Sequence, residues 1–178
     1  GADLEDYAGV LQAPSNAVDK FTRGSVLVVG GSLRFPGAPV MAALAAARAG
    51  AGYVTLAVPA PVAPIIQPHL LEIPVLALPA EEDGTFSTGS IEQVVQLAQK
   101  RTATLVGPGM RVSSGTAGIV SRLIATEVPL VIDADGLNCL ARLTSNRLDD
   151  FPELLRRNAP IVLTPHRREL GRLVGLED

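Results

Sequence analysis

Residues 25–58 read SVLVVGGSLRFPGAPVMAALAAARAGAGYVTLAV, and this stretch decides the fold. Its first five residues, SVLVV, and its last six, YVTLAV, are almost continuously apolar and rich in β-branched side chains. A strand apolar on successive residues presents apolar groups to both faces of a sheet, so the sheet must be covered on both sides. Between the two runs, 39–49 (PVMAALAAARA) places Pro at the start and Gly50 just past the end, the expected polarity of a helix. Its many alanines allow a helix to approach a sheet closely. Strand, helix, strand in this order implies parallel strands joined by a crossover.

The same unit recurs downstream. Strands are expected at 73–78, 104–106, 129–133 and 161–163, with Pro74 marking the first of these as an edge strand. Helices are expected from 63, over 90–100, 116–126, 135–143 and 151–157, and again from 169. Ser90 with Gln93 has the spacing of a capping box. A short helix over 3–12 and an irregular segment over 14–23 precede the first strand. The expectation is an N-terminal lead-in over 1–23 and, over 24–178, one α/β unit: a mostly parallel sheet with helices on both faces, in three α/β/α layers.

Composition fits this reading. The 178 residues are 47% hydrophobic and 19% charged, with mean hydropathy +0.31. Net charge is −3, with no basic stripe, and aromatics are only 3%, so nucleic-acid binding has neither an electrostatic footprint nor stacking platforms. One cysteine, Cys139, rules out an internal disulfide. No 18-residue apolar run appears, so no membrane partner or span is expected, and the expected location is cytoplasmic.

Four expected strands end in distinctive loops: Gly30-Gly31-Ser32, Gly107-Pro108-Gly109, Asp133-Ala134-Asp135 and Thr164-Pro165-His166. In open parallel sheets ligands bind beyond the carboxyl ends of the strands, so these loops should share one edge. The first loop precedes a helix N-terminus and could cradle an anion or simply form a tight turn. It lacks the Lys of a phosphate-binding P-loop. It is also a poor GxGxxG, and YVTLAV ends without the acid that would hold a ribose, against an NAD-type dehydrogenase. The GPG loop allows close approach to backbone, or is an ordinary strand exit. Asp133 is the stronger functional candidate of its pair, able to order a Mg²⁺–water shell or hold a hydroxyl, with Asn138 assisting, whereas Asp135 reads as a helix cap. His166 gains interest from its neighbours, while His69 reads as structural. Arg167-Arg168 reads as a solvated pair.

Three ordered segments, VLVVGGSLRFPGAPVMAALAAARAGAGYVTLAVP, LVGPGM and LVIDADGLNCLA…IVLTPHRRELGRLVG, together resemble the ADP/ATP-dependent NAD(P)H-hydrate dehydratases of the ribokinase-like superfamily. The resemblance runs from about Lys20 to the end. It implies dehydration of hydrated NADH or NADPH, with ADP or ATP as the nucleotide and Mg²⁺ as its ion. The family's hydrate-binding positions fall on Ala38, Gly109 and His166, and Gly31, Ser32, Asp133 and Asn138 line the same cleft. It also implies further strands beyond Thr164-Pro165-His166, carrying a Gly-x-Gly-Asp motif whose Asp is the expected catalytic base. No such motif follows Glu169, so that base is expected beyond Asp178, the last residue of the sequence. Arg167-Arg168-Glu169 also replaces the family's Pro-Gly-Glu. The expectation is therefore a shortened chain with part of the substrate site, inactive alone and prone to form homo-oligomers. The alternatives are a small-molecule kinase of the same superfamily, of hydroxymethylpyrimidine or hydroxyethylthiazole type, or a non-catalytic binding or oligomerisation module.

Overall fold

A computed structural model of the protein describes residues 23–145 and 156–176. The expectations for 3–12, for 14–22 and for most of 151–157 lie outside the described residues. Asp178 lies outside the described residues too. In chain order the elements are β1 (Ser25–Val29), α1 (Gly37–Arg48), β2 (Tyr53–Pro59), α2 (Ala63–Ile66), β3 (Val75–Leu78), α3 (Ile91–Ala98), β4 (Ala103–Val106), α4 (Ser114–Ile124), β5 (Leu130–Ile132), α5 (Asp135–Leu143), β6 (Ile161–Leu163) and α6 (Arg167–Val174).

All six strands are parallel, in the order β3-β2-β1-β4-β5-β6. Crossover handedness explains the layers. The chain steps outward in one direction from β1 to β3, then returns past β1 and steps the other way to β6. A right-handed crossover places its helix on opposite faces for opposite directions of travel. Accordingly α1 and α2 pack on one face, with Val28, Leu56 and Val58 beneath them. The helices α3, α4, α5 and α6 pack on the other, over Leu27, Val29, Val106 and Ile132. Successive residues of β1 thus enter different cores, as an apolar-throughout strand requires.

The helix starts differ from expectation in instructive ways. Ser90 holds the N-cap position of α3 but makes no capping bond: its hydroxyl donates to Ser87 O, because Thr88–Ser90 forms a 3₁₀ turn ahead of the helix. The capping box belongs to α4 instead, between Ser113 and Thr116. Helix α1 begins two residues before Pro39, which is buried within its first turn. As expected, β3 is an edge strand entered from Pro74.

The last strand is anchored to α4 by Arg157. Its guanidinium donates to Leu123 O and Ile124 O at 3.1 and 2.6 Å and also to Val128 O. Leu123 O also accepts from Thr126 N and Oγ1, so Arg157 adds to the cap there, and a cation suits the negative end of the helix dipole. Burial pulls the Arg157 pKa below its ordinary value, with the nearby Glu127 charge opposing the shift. Glu127 in turn accepts from Asn158 N and Ala159 N. No helix of the described residues is long and apolar enough to cross a membrane.

Candidate functional site

The change of winding direction falls between β1 and β4, and there the loops that follow the two strands meet. Adjacent helices leave a parallel sheet on opposite faces at such a point, which opens a crevice at its carboxyl edge. The β1 and β4 loops are tied across it by Gly31 N donating to Pro108 O at 2.8 Å and Ser32 Oγ donating to Gly109 O at 2.8 Å. Ser32 is fully buried, so its hydroxyl serves this tie.

Two glycines of the β4 loop are required by neighbouring protein. Gly107 has φ +128°, and a methyl group on it would lie 1.8 Å from Asp133 O and 2.7 Å from Gly136 N. Gly109 has φ +70°, and a methyl on it would lie 2.6 Å from Phe35 O and 3.2 Å from the Ala38 Cβ. The Gly-Pro-Gly turn is therefore explained by close packing against the β5 loop and against the start of α1. The same closeness makes Ala38 and Gly109 neighbours across the switch point.

The β5 and β6 loops continue the edge. Thr164 Oγ1 donates to Asp133 Oδ1 at 2.7 Å, and Asp133 N donates to Val106 O. Asp135 departs from expectation: it is the first residue of α5, and the N-cap is Ala134, whose own geometry is unusual (φ +49°, ψ −121°). The Asp135 carboxylate instead accepts from Arg111 N at 2.9 Å and from Asn138 Nδ2 at 3.1 Å. Asn138 Oδ1 accepts from Arg172 of α6 at 2.8 Å.

His166 stands at the N-cap of α6. Its Nδ1 accepts from Arg168 N and Glu169 N, while Glu169 Oε2 accepts from His166 N at 2.9 Å. Its Nε2 lies 3.4 Å from Glu169 Oε1, with the ring largely exposed and Glu169 buried. A ring whose Nδ1 accepts is a neutral imidazole with its hydrogen on Nε2. Glu169, taken from sequence only as the start of a helix, thus fixes the ring's tautomer and orientation. Two strand spacings separate the β4 and β6 loops, about 10 Å across the edge.

Sequence reasoning missed Arg111, Phe35 and the role of Thr164. Arg111 sits at φ +57° and pairs with Asp83 at 3.1 Å, a contact no local pattern reveals. Asp83 is held below the usual carboxylate range first by the Thr85 hydroxyl and then by Thr85 N–H. Phe35 did carry a signal, being one of four phenylalanines and set between Arg34 and Pro36 in a loop. It is 46% exposed beside Ala38 and Gly109, with the Arg34 guanidinium 5.5 Å from its ring centre. Gly31 is buried, and Arg167 and Arg168 are exposed as a solvated pair should be.

Metal chemistry finds no cradle: among the described residues no three His, Cys, Asp or Glu side chains form a cluster for a metal ion. Asp133 Oδ1 is taken by Thr164 and both Asp135 oxygens by Arg111 N and Asn138, so these residues offer no multi-ligand cage for Mg²⁺. Cys139 is buried, its thiol pushed up to about 11 by burial. His69 lies away from the cleft, at a cavity of about 490 Å³ between Leu44, Tyr53 and Ile73 beside the amino end of β2.

Comparison with known proteins shows the family. The family model described as NAD(P)H-hydrate dehydratase matches residues 26–178. The chain is 44% identical over 160 residues to a bifunctional NAD(P)H-hydrate repair enzyme of Salinibacter ruber, covering 89% of this chain and 28% of that protein. It is 38% identical over 164 residues to an ADP-dependent (S)-NAD(P)H-hydrate dehydratase of Xanthomonas campestris, covering 91% of this chain and 52% of that one. The crystal structure of an ADP/ATP-dependent NAD(P)H-hydrate dehydratase from Bacillus subtilis, co-crystallised with ATP/Mg²⁺, superposes with TM-score 0.70 at 28% identity, over 93% of this chain and 52% of that one. The chain thus spans about half the length of the single-function relatives and under a third of the bifunctional one. Matched over most of its own length, the chain belongs to the NAD(P)H-hydrate dehydratase family.

Proposed function

We propose that the chain carries part of the substrate site of an ADP- or ATP-dependent dehydratase that restores NADH or NADPH from its hydrate. The observation that supports this best is the contact of Ala38 with Gly109 across the β1/β4 switch point, with Asp133 and His166 on the same edge. Water added across the nicotinamide ring leaves a hydroxyl on C6. Phosphoryl transfer from the nucleotide to that hydroxyl makes a good leaving group. The lone pair of the ring nitrogen then drives out phosphate as the C6–O bond breaks, and loss of a proton from C5 restores the double bond. A base must also take the hydroxyl proton as the phosphoryl group arrives, and no described residue is given either proton-accepting role.

In this reading Ala38 and Gly109 present backbone and small surfaces to the hydrated ring, where a larger side chain would fill the space. His166 presents its largely exposed ring toward the ligand, held in place by Glu169. Gly31, Ser32 and Asn138 shape the cleft from behind through the ties described above. A nucleotide-borne Mg²⁺ would assist phosphoryl transfer by neutralising charge on the phosphates, and the described residues supply it no ligand set. We further place the protein in the cytoplasm, with hydrated NAD(P)H and a nucleotide as its small-molecule partners. Exposure of Val162, Leu170 and Val174 at the β6–α6 side favours self-association, which sedimentation measures directly.

Calorimetry of the chain with hydrated NADPH, NADPH and ATP is the test, alongside the recovery of NADH fluorescence from hydrated NADH with ATP or ADP. Hydrate binding that is lost in Gly109→Val is expected. A chain that ignores the hydrate but takes up a hydroxymethylpyrimidine is a small-molecule kinase instead. Binding without any recovery of fluorescence makes this chain a binding module.

A further inference from the structure

We propose that Asp135 is a positioning residue that sets the distance between Gly109 and His166. It rests on the functional reading above only for what the cleft holds. The carboxylate sits where three segments meet. One oxygen accepts from the backbone of Arg111, two residues beyond Gly109, and the other accepts from Asn138. Asn138 passes the link to Arg172 on α6, the helix that His166 caps. From Asp83 through Arg111, Asp135 and Asn138 to Arg172, each group holds the next by a hydrogen bond of 3.1 Å or less. The two bonds to the Asp135 carboxylate lie in a partly buried setting, where a hydrogen bond to a charged acceptor is stronger than in bulk water.

The backbone supports the same assignment. Ala134 holds φ +49° and Arg111 holds φ +57°, both left-handed and both next to the atoms that Asp135 connects. Such conformations persist where surrounding contacts over-determine them, and they cluster at functional sites. Asp133 differs. Its carboxylate accepts from Thr164, so it touches the β6 loop but has no side-chain bond to the β4 loop among the described residues.

The experiment compares NMR spectra of the ligand-free chain. In Asp135→Ala, the Gly109 amide and the His166 ring signals should both move, because one carboxylate holds both. In Asn138→Ala, which cuts only the arm to α6, His166 should move and Gly109 should stay. In Asp133→Ala, likewise, only His166 should respond, through Thr164. Asp135→Asn keeps an acceptor oxygen, and its two signals should move by less than in Asp135→Ala, which covers the case in which the alanine variant folds poorly. If Gly109 or His166 is unmoved in both Asp135 variants, the proposal is wrong. On binding, Asp135→Ala should weaken hydrated NADPH by about tenfold, the scale of one lost charge-assisted contact. That loss should be non-additive with His166→Asn. Failure of the unsubstituted chain to bind the hydrate sinks the functional reading, while the ligand-free spectra still decide this one.

Discussion

Replacing Gly107 by Ala tests whether the cleft is held by backbone packing. The added methyl would stand 1.8 Å from Asp133 O, where ordinary contact begins near 3.4 Å, so the β5 loop must retreat by about 1.5 Å. Asp133 N and Gly136 N would be drawn from their bonds to Val106 O and Asp133 O, 3.1 and 2.9 Å long at present. Two weakened backbone bonds cost about 1 kcal/mol each, and a side chain at φ +128° adds about 1–2 kcal/mol of strain. The total is about 3–4 kcal/mol. For a chain of this size each kcal/mol moves the melting temperature by about 2–4 °C, so a drop of about 10 °C is expected. Far-UV circular dichroism is the suitable assay, since the chain has no Trp. Gly50→Ala is the control. Gly50 has φ +101° with open space around it, so strain acts there without collision, at about 1–2 kcal/mol. Equal losses in the two variants would refute the argument that packing, rather than backbone strain, demands Gly107.

Other substitutions probe other links. His166→Asn keeps a good helix cap and removes the exposed ring, so hydrate binding should weaken while thermal stability holds; His166→Ala should lose both, with about 1 kcal/mol of stability. Arg157→Met removes the guanidinium donors from Ile124 O and Val128 O, while Leu123 O keeps Thr126, and should cost about 1–3 kcal/mol in urea unfolding. Among the described residues Thr104 Oγ1 is buried without a hydrogen-bond partner, so Thr104→Val should be neutral or stabilising by about 1 kcal/mol. The Cys139 pKa is raised from 9.0 to about 11, chiefly by burial. The folded state therefore keeps its proton where the unfolded thiol has lost it, and stability should fall as pH rises from about 9 to 11, with no thiol labelling of the folded chain near neutral pH.

Much of the fold was readable because periodicity reports burial. The apolar runs at 25–29 and 53–58 implied coverage on both faces, and Val28 and Val29 do enter separate cores. Loop positions were readable for the same reason: a parallel sheet sends every strand's carboxyl end to one edge. What the sequence concealed was the partner of each polar side chain. Ser90 and Ser113 both precede helices, yet only Ser113 makes a capping bond, because Ser90 is caught in a 3₁₀ turn. Asp133 and Asp135 differ by two positions and were ranked by local rules, which favour a cap for the residue at a helix start. The cap reading failed at Asp135 because its partner is Arg111 N, 24 residues away, placed within reach by a left-handed backbone that spacing does not encode.

The strand order itself carries a warning about inference from architecture. The order β3-β2-β1-β4-β5-β6 is shared with dinucleotide-binding sheets, which also use the crevice beside the first strand. Those sheets grip a pyrophosphate with glycines opening a helix, and a ribose with an acid after the second strand. Here the second strand ends in Pro59, and the first loop is closed by Gly31 N on Pro108 O and Ser32 on Gly109 O. Topology provides the crevice in both cases, while side chains and turn backbone decide what it can hold. In this chain the β1 loop's hydrogen bonds turn toward the β4 loop, and the β4 loop's glycines turn toward α1 and the β5 loop. A ligand proposed at this edge would meet small surfaces and fixed backbone set by inter-loop ties. That is why the residues predicted to matter most here, Gly107, Gly109 and Asp135, act by holding loops in place.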